Sequence, residues 1–384
     1  MPTADTKRLA PRAAEALASA SSKVNALRVV LGLDGFVDEI LAVVDKRESP
    51  TQFSRVPTIA RLAEKLAQAA GKSSNFELVT TQVKLGGNGP NMANALCSFG
   101  LPLTYLGNLG HPQIHPVFAD FAKIAHVISI ANPGHTDALE FGDGKVMLGK
   151  HQSLRDVTWD NLIRAVSRED LVKLIDDAAL VGFLNWTMLP HLSDVWKHLL
   201  ADVCPKLVPN PGRLMFFDLA DPEKRTADDI REAMQLIGQF SRHFRVILGL
   251  NEKESGEICE SLGVEAGASS PDGLQQRAAT LRAKVGTAQV VIHPTRFAVA
   301  AEASTGSAQA TTAHVDGPFT ATPKLSTGAG DNFNAGYCLG ALLGLEKDIS
   351  LLLGVATSGF YVRNAKSPSI ADLTGFLKNW PPPS

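Results

Sequence analysis

Residues 326–336, STGAGDNFNAG, set two glycines and an aspartate just ahead of a small-residue run, YCLGALLGL, that reads as a helix. Free amide groups and the helix dipole make such a start a ready anion site. Gly328 and Gly330 let the backbone approach an anion closely. Asp331 falls in the first helical turn. There it is either a general base facing a phosphoryl group or a cap for the helix; the local pattern favours neither.

Two further segments carry chemistry. In KLGGNGPNMANAL (84–96) a strand runs into a glycine turn, with Asn88 and Asn91 near the start of a following helix. Amide side chains both donate and accept, which suits neutral hydroxyls, though Asn91 also reads as a helix cap. In LDGFVDEI (33–40), Asp34 and Asp38 stand where a first strand ends. Ligands of open α/β sheets bind beyond the carboxyl ends of strands. Two carboxylates there either take hydroxyls of a polyol or sit in a solvated turn. Asp218, after another strand, is a third carboxylate that could face phosphates.

Common phosphate motifs are excluded. A dinucleotide fingerprint built on Gly328 and Gly330 needs glycine where Phe333 stands, and a P-loop ending at Gly71-Lys72-Ser73 needs glycine where Leu66 stands. His111 and His115 share helical spacing, but Pro112 and Pro116 oppose a helix, so they are not read as metal ligands.

The elements that must position these groups alternate. Short apolar runs at 27–33, 104–109, 126–131, 179–186, 213–220, 244–250 and 288–293 read as buried strands. Helical patterns lie at 90–100, 190–203, 226–240, 252–262 and 272–285. This alternation predicts an α/β fold, a mostly parallel sheet with helices on both faces. Segments 39–48 and 75–85 read as amphipathic strands around an extra helix, 58–71. Residues 136–150 read as a hairpin around Gly142-Asp143-Gly144. These strands form either a small second sheet, naturally a lid over the sheet edge, or plain surface hairpins.

Composition narrows the class. Across 384 residues, 45% are hydrophobic and 20% charged, too apolar for a disordered chain. Lys and Arg number 37 against 39 Asp and Glu, which gives no basic excess for nucleic acid. No apolar run of about 18 residues is present to span a bilayer. Four cysteines without a Cys-x-x-Cys pair read as reduced thiols of a cytoplasmic protein.

Taken together, the segments resemble the ribokinase-like (PfkB-type) kinases of sugars and nucleosides. Thr327 to Asp331 match the family's Thr-Gly-Ala-Gly-Asp signature. Gly86, Gly87, Asn91 and Ala93 match its Gly-Gly-x-x-x-Asn-x-Ala signature. Asp38 before Ile40 matches the end of its first strand, and Asn251 with Glu254 matches its Asn-x-x-Glu motif. Order and spacing agree over about residues 27 to 378. The chain departs at His293-Pro294-Thr295, where the family carries a Thr-x-Gly turn beside the nucleotide.

The resemblance implies a three-layer α/β/α core, residues 1–38, 86–134 and 151–384, with a β lid from residues 39–85 and 135–150. It implies an ATP- and Mg²⁺-dependent transfer of phosphate to a small sugar, with a nucleoside or a catalytically silent sugar-binding relative as alternatives. Asp331 would be the base, and Gly328, Ala329 and Gly330 the anion hole. Asp38, Gly86, Gly87, Asn88 and Asn91 would meet the acceptor; Asp34, a second acid near Asp38 that departs from the family's pattern, and Glu140 on the second lid segment join them as acceptor candidates from their own positions. Asn251, Thr295, Thr327 and Gly330 would meet the nucleotide, and Asn251 with Glu254 would serve the metal, mainly through water. The acceptor loops carry acids and, apart from Lys84, no cation, which favours a neutral polyol over a sugar phosphate. Unpaired lid edges predict a homodimer joined through the lid.

Overall fold

A computed structural model describes residues 4–304 and 310–382; residues 1–3, 305–309, 383 and 384 of the expected core unit lie outside the described residues. Among the described residues there are fourteen strands: β1 (Val29–Leu33), β2 (Phe36–Arg47), β3 (Phe53–Arg55), β4 (Leu78–Gly86), β5 (Leu103–Gly107), β6 (His126–Ser129), β7 (Gly134–Phe141), β8 (Gly144–Lys150), β9 (Leu180–Phe183), β10 (Leu214–Phe217), β11 (Arg245–Leu250), β12 (Gln289–Ile292), β13 (Phe297–Glu302) and β14 (Thr311–Asp316).

Nine of them form the main sheet in the order β14-β13-β12-β11-β10-β9-β1-β5-β6. The pairings from β12 through β6 are all parallel, while β13 and β14 run antiparallel at one edge. Strand side chains alternate between two buried layers. In β10, Met215 and Phe217 join one apolar cluster, and Leu214 and Phe216 join the other. Both faces are therefore covered by helices, which is why these strands are continuous apolar runs in the sequence. The architecture is the expected three-layer α/β/α sandwich. Among the described residues, no helix is long and apolar enough to cross a membrane.

The remaining five strands form a small sheet in the order β3-β2-β7-β8, with β4 also paired to β2. Its strands begin slightly nearer the core than the sequence pattern suggests, β2 at Phe36 and β7 at Gly134, and β4 runs on to Gly86. Helix Ile59–Gln68 is capped by Thr58, whose hydroxyl accepts from the Arg61 amide. It lays Leu62 against Leu41, Val43, Val56, Leu139 and Phe141, a third apolar cluster. The helix thus covers one face of the small sheet.

Candidate active site

Five adjacent strands of the main sheet end in polar side chains: Asp34 beyond β1, Asn185 beyond β9, Asp218 beyond β10, Asn251 beyond β11 and His293 beyond β12. Parallel alignment brings these carboxyl ends to one rim, where open α/β sheets bind ligands.

Helix Ala329–Leu342 meets this rim at its N-terminus. Gly328, its N-cap, has φ +89°, a left-handed conformation that favours glycine. The Tyr361 hydroxyl donates to the Thr327 carbonyl at 2.8 Å and the Asn332 amide donates to the Gly328 carbonyl at 2.9 Å, pinning the loop. The Ala329 amide is engaged by the Ser326 carbonyl at 3.1 Å, so this member of the expected anion hole is used within its own turn.

The two glycine motifs, 240 residues apart, touch at Asp331: the Asn91 side-chain amide donates to its Oδ2 at 3.1 Å. Burial pushes the Asp331 carboxyl up to about 8, and the negative charges of Asp34 and Glu254 add to that rise. Hydrogen bonds from Asn91 and Asn88 oppose it. Asn91 is thus placed on the carboxylate rather than only on an acceptor.

Asp34 requires a correction. It was expected to take acceptor hydroxyls, yet it is fully buried beneath the glycine turn. Its Oδ1 accepts from the Gly89 amide at 3.0 Å and the Tyr105 hydroxyl at 3.2 Å, and its Oδ2 accepts from Asn185 at 2.8 Å. A Cβ on Gly89 would run into the Tyr105 hydroxyl and Asp34, which explains glycine there. Asp34 therefore clamps the loop that carries Asn88 and Asn91. Burial raises its carboxyl to about 6.

Asp38 lies on β2 directly between Lys84 of β4 and Thr136 of β7, with Gly86 packed against its carboxylate. Burial raises its pKa; Lys84 and a hydrogen bond from Thr136 oppose the rise. Glu140 is on the same face, four residues beyond Thr136 along β7, and pairs with Lys145 at 3.0 Å.

Asn251 caps helix Glu252–Ser261 in a reciprocal box with Glu254. Glu254 uses both oxygens, accepting from the Asn251 amide at 2.8 Å and the Asp221 amide at 3.1 Å. Asp218 accepts from Asn334 at 2.8 Å and from the Ala220 amide at 3.1 Å. Ala220 and Asp221 both take left-handed backbone, at φ +61° and +56°, strain held beside the acids. Burial, with repulsion from Glu254 and Asp331, drives Asp218 well above the carboxylate range.

A cavity of about 420 Å³ opens beside the helix start. Asn251, His293, Thr295, Gly330, Phe333, Phe319 and Val362 are among the residues that line it. His293 packs on Phe333 at 4.5 Å between ring centres, and burial lowers its pKa to about 4. Thr295 and Gly330 thus share the cavity as expected positions, whereas Thr327 is not in its lining. The sequence reading did not single out Asn334, Asn185, Tyr105 or Tyr361. Asn334 alone had a signal: it follows Asp331 by three residues, on the same helix face.

A model of the prokaryotic ketohexokinase family matches residues 3–380. The chain belongs to that family. It is accordingly a sugar kinase, transferring phosphate to an alcohol group. The kinase is 31% identical over 364 residues to the ketohexokinase of Haloferax volcanii, covering 94% of each chain. Its fold is shared with a solved Arabidopsis thaliana ribokinase complexed with ribose and ATP. That match has a TM-score of 0.62 and 16% identity, covering 92% of this chain and 98% of that one. Phosphofructokinase-2 of Escherichia coli, in complex with substrates and products, is similar at TM-score 0.62 and 13% identity, covering 92% and 99%.

Proposed function

We propose that the kinase phosphorylates a free ketohexose with ATP, with Asp331 receiving the proton of the attacking hydroxyl. The observation that carries this reading is the Asn91–Asp331 contact, which sets one buried carboxylate between the glycine turn and the 420 Å³ cavity. The hydroxyl oxygen attacks the γ-phosphorus, the bond to the β,γ-bridging oxygen breaks, and ADP leaves. Such a transfer needs positioning and charge neutralisation more than covalent help. Gly328 and Gly330 cradle the moving phosphoryl, Asp38, Asn88 and Asn91 orient the acceptor, and the cavity takes the nucleotide. The Arabidopsis thaliana ribokinase solved with ribose and ATP supports the choice of donor.

Asp218 and Glu254 fit a metal-bearing site: among the described residues neither these two nor Asp331 is paired with Lys or Arg, and their mutual repulsion calls for a cation. Mg²⁺, when bound with ATP, would neutralise phosphate charge there. Asp218 and Glu254 would hold its waters, and the Asn251 side chain would orient the phosphates.

On the acceptor side, lysines and acids balance: Lys84 stands opposite Asp38 and Lys145 is paired with Glu140. Among the described residues these two lysines are thus matched by acids rather than left free for a phosphate. Initial rates with fructose and other ketohexoses should exceed those with pentoses, nucleosides, fructose 6-phosphate and tagatose 6-phosphate. A preference for a sugar phosphate or a nucleoside would overturn the acceptor assignment.

Residues 39–85 and 135–150 act as the lid that excludes water from this chemistry. We further infer that two lids pair. Among the described residues β4 and β8 each keep one edge unpaired, and Leu78, Val83, Met147 and Leu148 are 44–49% exposed on them. Sedimentation should give the mass of two chains. A single-chain mass at micromolar concentration would mean that helix Ile59–Gln68 is all the cover the lid receives.

A further inference from the structure

Among the described residues, one group of His, Asp and Glu side chains brings three ligand atoms close enough for a single ion: Glu39, His135 and Asp137. It lies away from the site above. Glu39 neighbours Asp38 on β2, so the two side chains point to opposite faces of the small sheet. Glu39 and Asp137 are register partners across β2 and β7, and His135 precedes Asp137 by two residues on the same face.

The geometry converges. His135 Nε2 is 2.9 Å from Asp137 Oδ1 and 3.6 Å from Glu39 Oε1, and all three ligand atoms lie within 4.8 Å of one another. The outer oxygens are held from outside the group. Lys150 Nζ contacts Asp137 Oδ2 at 2.9 Å, and the Thr80 hydroxyl donates to Glu39 Oε2 at 3.4 Å. The inner oxygens are left facing the imidazole nitrogen, the arrangement in which outer partners orient metal ligands. The three residues stand on paired strands rather than loops, and their side chains are only 19–33% exposed.

We propose that Glu39, His135 and Asp137 bind one divalent transition-metal ion of the zinc class. Metal bonds of about 2.0–2.2 Å in a tetrahedron place ligand atoms roughly 3.3–3.6 Å apart; the 3.6 Å from His135 Nε2 to Glu39 Oε1 matches that spacing, and the 2.9 Å to Asp137 Oδ1 would open slightly around an ion. One imidazole nitrogen with two carboxylate oxygens suits Zn²⁺, Co²⁺ or Ni²⁺ better than Mg²⁺, which prefers oxygen alone. Two carboxylates less the Lys150 charge leave a net negative site for a dication. Water would complete the coordination. The ion would tie β2 to β7 where both leave the core, on the reverse of the strand segment that carries Asp38 and Thr136.

The test uses untagged, chelator-stripped full-length enzyme titrated with Co²⁺ in the absence of nucleotide. One equivalent should bind with the visible absorption of four-coordinate cobalt, be displaced by Zn²⁺, and survive excess Mg²⁺. Losing an outer partner of a metal ligand costs about 10- to 100-fold in affinity, so losing a ligand should cost at least that. His135→Gln should abolish the cobalt spectrum and Glu39→Gln should weaken it, while Asp218→Asn, at the phosphate rim, should leave it unchanged. Should His135→Gln fail to fold, Glu39→Gln decides alone. An unchanged spectrum in the folded His135 or Glu39 variant, or no cobalt bound by the parent enzyme at millimolar metal, would overturn the site.

Discussion

Asp331→Asn should leave the fold intact and lower kcat by about 10²- to 10⁴-fold, the usual contribution of a positioned general base. The amide keeps the size of the carboxyl, and its oxygen can still accept from Asn91, now 3.1 Å away. What it loses is the ability to take a proton. Measured on the preferred ketohexose, KM should move little compared with kcat. A variant that retained more than half of the parent turnover would remove Asp331 from the base role. In the parent enzyme, burial sets the carboxyl near 8, so kcat/KM should rise with pH along an acidic limb far above the ordinary carboxylate range.

The same substitution has a stability consequence with a definite sign. The folded value near 8 lies above the ordinary carboxylate value of 3.8, so at a pH between the two the native chain holds a proton that the unfolded chain has released. Stability from this group is present below about pH 4 and is lost as pH rises towards about 8. Asparagine has no such proton to lose. The melting temperature of Asp331→Asn relative to the parent should therefore climb between about pH 4 and pH 8 and level off above. An offset independent of pH would mean that the carboxyl is not held protonated by its surroundings.

Six strands of the main sheet, β1, β5, β9, β10, β11 and β12, were legible because both of their faces are largely buried, which writes each as an apolar run, while β6 was legible from its apolar run although it is an edge strand with no fully buried residue. The strand β13 and the edge strand β14 beside it were not. FAVAAE is rich in alanine, a poor strand former, and TTAHVD is largely polar and half exposed. Helix Ala4–Ala20 escaped notice because Pro11 falls inside it, where proline reads as a break. At the site, Asp331 and its glycines were legible because their signal is local: a turn, a helix start and an acid in five residues. The partners that fix them are not local. Asn91 meets Asp331 across 240 residues and Asn185 meets Asp34 across 151, distances over which no sequence period operates. Asp34 was misread for the same reason. Its position at a strand end is visible in the sequence, but the direction of its side chain is set by Tyr105, Gly89 and Asn185.

Asp34→Ala should destabilise the fold by about 3 kcal/mol, because it strands buried donors that cost about 1–3 kcal/mol each when left unmade. The Gly89 amide and the Asn185 side-chain amide both lose their acceptor. Tyr105 does not, since its hydroxyl also donates to the Asp34 carbonyl at 2.6 Å. Asp34→Asn should cost less, for a reason specific to this site. Its oxygen can still serve Gly89 and Tyr105, leaving its nitrogen facing the Asn185 nitrogen. The Asn185 oxygen is buried without a partner, so a half-turn of that amide restores a donor–acceptor pair. In urea titrations the midpoints should order as parent, Asp34→Asn, Asp34→Ala. The loop that Asp34 holds carries Asn88 and Asn91, so KM for the acceptor should rise in the same order. Equal midpoints for the two variants, within about 0.5 kcal/mol of the parent, would show that the glycine turn holds its shape without the clamp.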